Sequence, residues 1–287
     1  MEGPMATTVD AIELFTKTIV NAQPWLYDPN CTPLPWNQTA LESVISARKL
    51  RIGVFEWDDI CLPQPPIRNA IKNVTKALKA AGHEIIPWKI DNKRAVELVL
   101  RVFRADSAGD IQRQCAKSGE PPMESACDSP EPPKTLLESW DLAMECTDFR
   151  AAVLKKWNET AKEDSPPMDA YIAPVNPAVA PRHGDYSKVR YFAYTASVNI
   201  LDYSSCTLPV GFVDPIVDLA DDTTLVMDAA GAELPRPTCE RDETIRRKYD
   251  PQTYAGMPVT LQVVGRKFEE EKVIGIVKVI KALLKLE

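Results

Sequence analysis

Serine, cysteine, histidine and paired carboxylates are the side chains with which a protein most often breaks covalent bonds. This chain sets several of them side by side. Ser204, Ser205 and Cys206 are contiguous, Asp58-Asp59 and Asp221-Asp222 are carboxylate pairs, His83 precedes Glu84, and His183 lies in Pro181-Arg182-His183-Gly184. A serine attacks only when a base takes its proton, and neither histidine belongs to a Gly-x-Ser-x-Gly or His-Glu-x-x-His pattern. Each histidine reads as a solvated loop residue. Cys206 stands at the mouth of a predicted strand with no cationic neighbour to favour its thiolate, so it reads as a small apolar side chain. The carboxylate pairs read as exposed loop charges, because glycoside chemistry needs two carboxylates facing one bond. Ser204-Ser205 reads as a turn pair, a common use of serine.

The elements that must position these residues are legible in the apolar pattern. Thr7 with Asp10 three residues on marks a helix start, Ile12, Phe15 and Ile19 share one face, and Pro24 ends the pattern. A polar crossing from Asp28 to Trp36 and a short helix around Leu41 to Ala47 lead to Arg51-Ile52-Gly53-Val54-Phe55, which has the apolar continuity of a buried strand. A helix from Pro66 to Ala80, closed by Gly82, and a strand from Glu84 to Trp88 complete a βαβ-like unit. Its first turn, Glu56-Trp57-Asp58-Asp59-Ile60-Cys61-Leu62-Pro63, has no glycine and carries acids that repel a pyrophosphate, so no nucleotide cofactor is expected. Neither is any other cofactor or metal.

Residues 93–116 and 135–162 read as helices on either side of a proline-dense stretch at 120–133, which is expected to be a connector. Together, residues 91–165 form the expected helical insertion in a single domain of residues 1–287. A strand from Asp169 to Val175, a helix from Ser187 to Ile200 and a strand from Ser205 to Val210 follow, the proline of the last marking an edge or a bulge. Asp214 to Ala230 reads as surface loop. Val259, Leu261 and Val263 alternate with Thr260 and Gln262 as in a sheet strand. In the last helix Glu269, Glu270 and Glu271 sit at the positive end, Lys278, Lys281 and Lys285 lie further along, and Val273, Ile276, Val277, Ile280 and Leu284 form a buried stripe. Strands interleaved with helices predict an α/β fold, a mixed central sheet flanked by helices.

Composition excludes several classes of function. With 287 residues, 45% hydrophobic and 26% charged, the chain is globular in character. A net charge of -7 with no Lys/Arg block argues against nucleic acid and anionic membrane as partners. No run approaches the roughly 20 apolar residues of a membrane span, and no secretory signal opens the sequence, so the cytoplasm is the expected location. Seven cysteines without a Cys-x-x-Cys pair read as reduced thiols.

Four blocks in order resemble the acetamidase-like branch of the amidase signature family: Gly3-Pro4-Met5-Ala6 with Asp10; Pro33-Leu34-Pro35-Trp36 before the strand at Arg51 to Phe55; Ala173-Pro174 through Asn199-Ile200-Leu201-Asp202-Tyr203 to Pro209-Val210-Gly211; and Gly256 to Gly265. The resemblance implies hydrolysis of carbon–nitrogen bonds in small linear carboxamides by a serine, a bridging serine and a lysine, with a glycine- and serine-rich loop holding the oxyanion. The chain has 11 glycines, no two adjacent, and the glycine-flanked serine pair has no counterpart. By the resemblance the sequence begins just after the catalytic serine motif. No catalytic residue is therefore assigned, and the expectation is a chain inactive alone, or alternatively a non-catalytic pseudo-amidase that binds a ligand or partner. Arg182, His183, Asn199, Tyr203 and Pro209 are the candidates for a substrate-pocket wall. A small amide is the expected ligand, and self-association through an exposed sheet edge is expected where central strands of the family's sheet are not supplied.

Overall fold

A computed structural model describes residues 3–46, 49–122 and 131–285. The first helix, α1 (Val9–Asn21), is capped by Thr8, whose Oγ1 accepts from the Ala11 N–H at 3.2 Å. The cap is thus one residue later than Thr7, since it is Thr8 that holds the extended backbone from which a side-chain oxygen reaches back into the first turn. Asn37 caps α2 (Gln38–Ile45) in the same way; Ala47, placed in this helix by the apolar pattern, lies outside the described residues. Strand β1 (Arg51–Val54), helix α3 (Pro65–Ala80) and strand β2 (Glu84–Pro87) form a right-sized βαβ unit, with β1 and β2 parallel and Arg51 opposite Glu84. Two prolines open α3, where missing N–H groups cost nothing.

Between Ile90 and Pro167 the chain forms α4 (Asn92–Phe103), α5 (Gly109–Ser118) and α6 (Leu136–Asn158). The single helix expected over 93–116 is two helices. Ser107 and Ala108 take left-handed backbone, and the Asp106 carboxylate accepts from the N–H groups of Ala108 and Asp110, which starts a new helix in place of continuing the old one. Thr135 and Glu138 form a reciprocal capping box on α6. Of the proline-dense stretch, residues 123–130 lie outside the described residues.

Strand β3 (Ala170–Pro174) follows, then α7 (Tyr186–Val189) and α8 (Ala193–Leu201), so the helix expected from Ser187 to Ile200 is interrupted at 190–192. Asp202, in left-handed backbone, terminates α8. Strand β4 (Ser205–Phe212), helix α9 (Glu240–Arg247), strand β5 (Pro258–Val264) and helix α10 (Glu270–Leu284) complete the chain.

The described chain divides into two compact units. One comprises residues 1–89, 168–191 and 202–287, the other residues 90–167 and 192–201. In the first, the strands form a five-stranded sheet in the order β2-β1-β3-β5-β4, with β1, β2 and β3 parallel and β5 antiparallel to both β3 and β4. This is the mixed sheet flanked by helices that the sequence predicts. Gly53 lies at the crowded centre of β1, where a Cβ would stand 2.8 Å from that of Tyr171 and 2.9 Å from the sulfur of Met168. Helix α10 buries Val273, Ile274, Ile276, Val277 and Ile280 against the sheet and α2. Each contributes about 1.5–3 kcal/mol by burial. Gly275 permits the approach to α2, since its Cβ would lie 3.1 Å from the Leu41 carbonyl oxygen.

The second unit packs α4, α6 and α8 around Leu98, Val99, Leu142 and Trp157. Its surface carries a compact ionic cluster in which Glu145 of α6 receives Arg94 at 2.5 Å and Arg101 at 2.6 Å from α4. Among the described residues no helix is long and apolar enough to cross a membrane.

Candidate functional site

Two of the cavities in the sheet-bearing unit border strands of the sheet. The larger, of about 600 Å³, borders β4, the segment Asp202–Ser204, the start of α10 and residues Gly3–Met5 with Ile12 and Thr16 of α1. It gathers the contiguous nucleophile candidates and Tyr203. The smaller, of about 260 Å³, lies beyond the end of β3, between Val175–Pro181, α7 and the residues Pro258 and Thr260 of β5.

In the larger cavity the serine hydroxyls are committed to structure. Ser204 Oγ donates to Glu270 Oε1 at 2.7 Å and accepts from the Glu269 N–H at 3.2 Å, so it closes the first turn of α10 onto the entry of β4. Ser205 Oγ donates to Gln262 Oε1 at 3.2 Å, and Gln262 in turn donates to the Pro174 carbonyl at 2.8 Å across β5 and β3. A side-chain amide cannot take the proton of Ser205, and the carboxylate facing Ser204 belongs to the first turn of α10, where the bond serves the helix start. The nearby lysines are ion-paired: Lys267 with Asp202 at 2.6 Å, Lys272 with Glu269 at 3.4 Å and Asp169 at 3.6 Å. Cys206 is buried, and that burial pushes its thiol up to about 11, far from the thiolate needed for attack.

The segment at 177–179, which borders the smaller cavity, is held by the buried side chain of Gln64, whereas the buried pair Asp242–Arg246 lies outside the lining of that cavity, Arg246 bordering a separate small one with Asp221 and Arg247. Gln64, 2% exposed, donates through Nε2 to the Ile245 carbonyl at 2.9 Å, accepts the Val179 N–H at 2.9 Å, and donates its own N–H to the Pro177 carbonyl at 2.8 Å. Asp242 accepts from Arg246 Nε at 2.9 Å and Nη2 at 2.7 Å, and from the N–H groups of Leu62 at 3.0 Å and Thr238 at 3.1 Å. Every lone-pair direction of this fully buried carboxylate is used, which is what makes its burial tolerable.

The paired acids divide differently from the expectation of exposed loop charges. Asp58 is buried, accepting from Tyr191 Oη at 2.6 Å and from the N–H groups of Ile60 and Cys61, while Asp59 pairs at the surface with Lys89. Asp221 forms a two-pronged pair with Arg68, at 2.6 and 3.0 Å, that fastens the 214–230 loop to α3. Asp218, also buried, accepts from Asn69 at 2.8 Å. These carboxylates need partners far away in sequence, which local spacing does not reveal. His83 also departs from a solvated loop residue: its Nδ1 accepts the Leu50 N–H at 3.1 Å, and partial burial lowers its pKa.

The candidate wall residues are not gathered in one place. Tyr203 lines the larger cavity, and burial raises its phenol pKa. Arg182 and His183 are exposed in the bend just after the smaller cavity's wall, Arg182 donating to Thr253 Oγ1 at 3.2 Å. Pro209 is exposed on β4 at the register shift between Pro209 and Gly211, so the edge and the bulge read from its sequence are both present. Asn199 belongs to the second unit, exposed on α8 and bonded to the Thr195 carbonyl of its own helix. Gln64, Asp242, Arg246, Asp58 and Tyr191 are not legible from local sequence as a network of bonded polar side chains; the sequence signal is a buried-type environment of prolines and cysteine around Asp58 and Gln64. Among the described residues no three His, Cys, Asp or Glu side chains are grouped to hold a metal ion.

A mixed sheet covered by helices, with a cavity beside its edge strand, is an α/β scaffold. The Amidase family profile matches residues 1–274, and this chain belongs to that family. It is 31% identical to an acetamidase of Emericella nidulans over 289 residues, covering 98% of this chain and 50% of the relative. It is 32% identical to amidase 1 of Gibberella moniliformis, covering 98% and 52%. The structure of a fatty acid amide hydrolase superposes with a TM-score of 0.84 at 25% identity, covering 99% of this chain and 48% of the other. The chain therefore spans about half the length of the relatives it matches.

Proposed function

We propose that this chain forms the pocket-bearing scaffold of an amide hydrolase acting on small linear carboxamides, and that its 287 residues do not cleave an amide unaided. Family membership and the acetamidase relatives support the reaction class and the substrate class. The observation that carries the second half is the commitment of both Ser204 and Ser205 hydroxyls to Glu270 and Gln262, with the neighbouring lysines held as ion-paired cations. Acyl transfer needs a base able to accept the serine proton and donors aimed at the oxyanion. The hydrogen bonds of Ser204 and Ser205 serve the start of α10 and the β4–β5 pairing, which supports the reading that neither is an activated nucleophile.

Ammonia release from acetamide by the purified chain is the direct test. The expected rate is that of buffer. A rate well above buffer, blocked by a serine-directed phosphonate, overturns the proposal. The size of the larger cavity also favours a binding role without chemistry, in which acetamide or propionamide raises the melting temperature of the chain in a saturable manner while no ammonia appears.

A further inference from the structure

The turn between β1 and α3 is tied to the start of α9 on both sides of a cysteine. The Ile60 carbonyl accepts from Thr238 Oγ1 at 2.6 Å, and the Leu62 N–H donates to Asp242 Oδ1 at 3.0 Å. Cys61 lies between these two residues. Their partners, Thr238 and Asp242, in turn flank Cys239, the extended residue that opens α9 and whose carbonyl accepts the Glu243 N–H at 3.1 Å. Asp242 also accepts the Thr238 N–H at 3.1 Å, so one buried carboxylate holds both segments of the junction. Two segments pinned on either side of 61 and of 239 set these cysteines at adjoining positions, the arrangement that a disulfide needs. The two thiols differ in exposure. Cys61 is 0% exposed and packs with Val189 and Ile245, whereas Cys239 is exposed. Burial raises the Cys61 thiol well above its ordinary value, and the charges of Asp242, Cys239 and Asp58 raise it further, in that order. Cys239 thus acts on Cys61 more strongly than Asp58 does, although the Asp58 carboxylate accepts the Cys61 N–H at 2.9 Å. An accessible thiol beside an enclosed one is the layout of a first point of attack with a resolving partner.

We propose that Cys239 and Cys61 are an oxidation site, at which a low-molecular-weight disulfide such as glutathione disulfide converts the two thiols into one bond between the β1–α3 turn and α9. The Cys239 thiolate attacks one sulfur of glutathione disulfide, whose S–S bond breaks as a Cys239–glutathione bond forms and one glutathione thiolate leaves. Cys61, once deprotonated, attacks the Cys239 sulfur; the mixed bond breaks and a second glutathione thiolate leaves. Two protein thiols are oxidised, one disulfide is reduced, and the two protons given up by the cysteines end on the departing glutathione sulfurs. The second step is the slow one, because the enclosed Cys61 gives up its proton only when the turn opens. Once formed, the bond tightens the turn that leads into Gln64, which holds Val179 at the wall of the smaller cavity. The oxidation site stands independently of the amidase reading above.

The test is a time course of the purified chain with glutathione disulfide, trapped with iodoacetamide and mapped as unreduced peptides by mass spectrometry. Expected is glutathione on Cys239 first, then a linked pair of the Cys61 and Cys239 peptides. With the link should come roughly tenfold slower hydrogen exchange at the Leu62 amide and a melting temperature higher by about 3 °C or more, both reversed by dithiothreitol. Cys61→Ser is expected to stop at glutathione on Cys239, and Cys239→Ser to leave Cys61 unmodified over the same period. Melting temperatures of the reduced variants show whether they fold; where one does not, the order of events in the wild-type time course carries the same information. Glutathione that stays on Cys239 without a linked pair overturns the proposal, as does a bond from either cysteine to any other cysteine in place of the 61–239 link.

Discussion

The two cavities that border the sheet are built on opposite plans. Beside the smaller one, Gln64 is almost fully buried and ties the wall residue Val179 and the Ile245 carbonyl to its own segment, 115 and 181 residues away in sequence, so that wall is fixed by buried bonds. Around the larger one, the framework is ordinary strand and helix-start bonding at Ser204 and Ser205, the ion pairs lie near the surface, and one side is a bare strand edge. Polar groups that are buried in full sets make a wall rigid, because loosening it strands a donor or a charge. A border held by exposed pairs and part-exposed hydroxyl bonds loses less when one of them is removed, because water can take the place of the lost partner.

The largest effect is expected from Asp242→Ala, which leaves the Arg246 guanidinium buried opposite no carboxylate. Removing one partner of a buried pair typically costs about 3–5 kcal/mol. Urea unfolding should show that loss, and a change below about 1 kcal/mol would mean that the fold does not depend on the pair. Next comes the floor of the open cavity. With its thiol pushed up to about 11 by burial, Cys206 has on the order of one part in a thousand thiolate at pH 8. Alkylation under native conditions should therefore be slow at Cys206, and peptide mapping that finds it labelled as fast as the exposed Cys239 would show the floor to be open as well.

Gln64→Leu leaves the Val179 N–H and the Ile245 carbonyl buried without their partner, at a cost of about 2–4 kcal/mol if neither recovers a water. The corresponding Ser205→Ala, on the open border, should cost less than about 1 kcal/mol, since its bond to Gln262 is partly exposed. Equal losses for the two would erase the contrast between the cavities. The smallest effect lies at β2. His83 accepts the Leu50 N–H only when neutral, and its pKa is lowered by burial from an ordinary 6.5. The unfolded chain therefore takes up the proton first as pH falls, so this contribution is present above about pH 6.5 and is lost on acidification through the folded value. A melting-temperature difference between the wild type and His83→Gln that is flat from pH 8 to 5 would count against it.

The sequence's local signals located nearly every strand and the helix at the end of the chain. β5 was visible because Val259, Leu261 and Val263 alternate, and α10 because its acids, lysines and apolar stripe follow the helix repeat. Pro209 marked β4 as an edge through its missing N–H. The breaks within the helices were not visible in the same way: Asp106 has the composition of a helix surface, and only its capture of the Ala108 and Asp110 N–H groups ends one helix and begins the next. Residues 190–192 interrupt an apolar pattern that a single helix would also satisfy.

What the linear order of residues determined by itself was the strands and helices, because periodicity, capping and turn chemistry act over a few residues, and the lineage, through the resemblance of four ordered blocks to a known family. Which acids are buried and which hydroxyls are spoken for was decided only by tertiary structure. Asp58 and Asp59 are neighbours of the same type, yet one is enclosed by Tyr191 and the other meets Lys89 in solvent, and Ser204 became the clamp of α10 through Glu270, 66 residues away. Such roles depend on partners that folding brings together across long loops, and the desolvation that gives them their energy exists only once the core has closed.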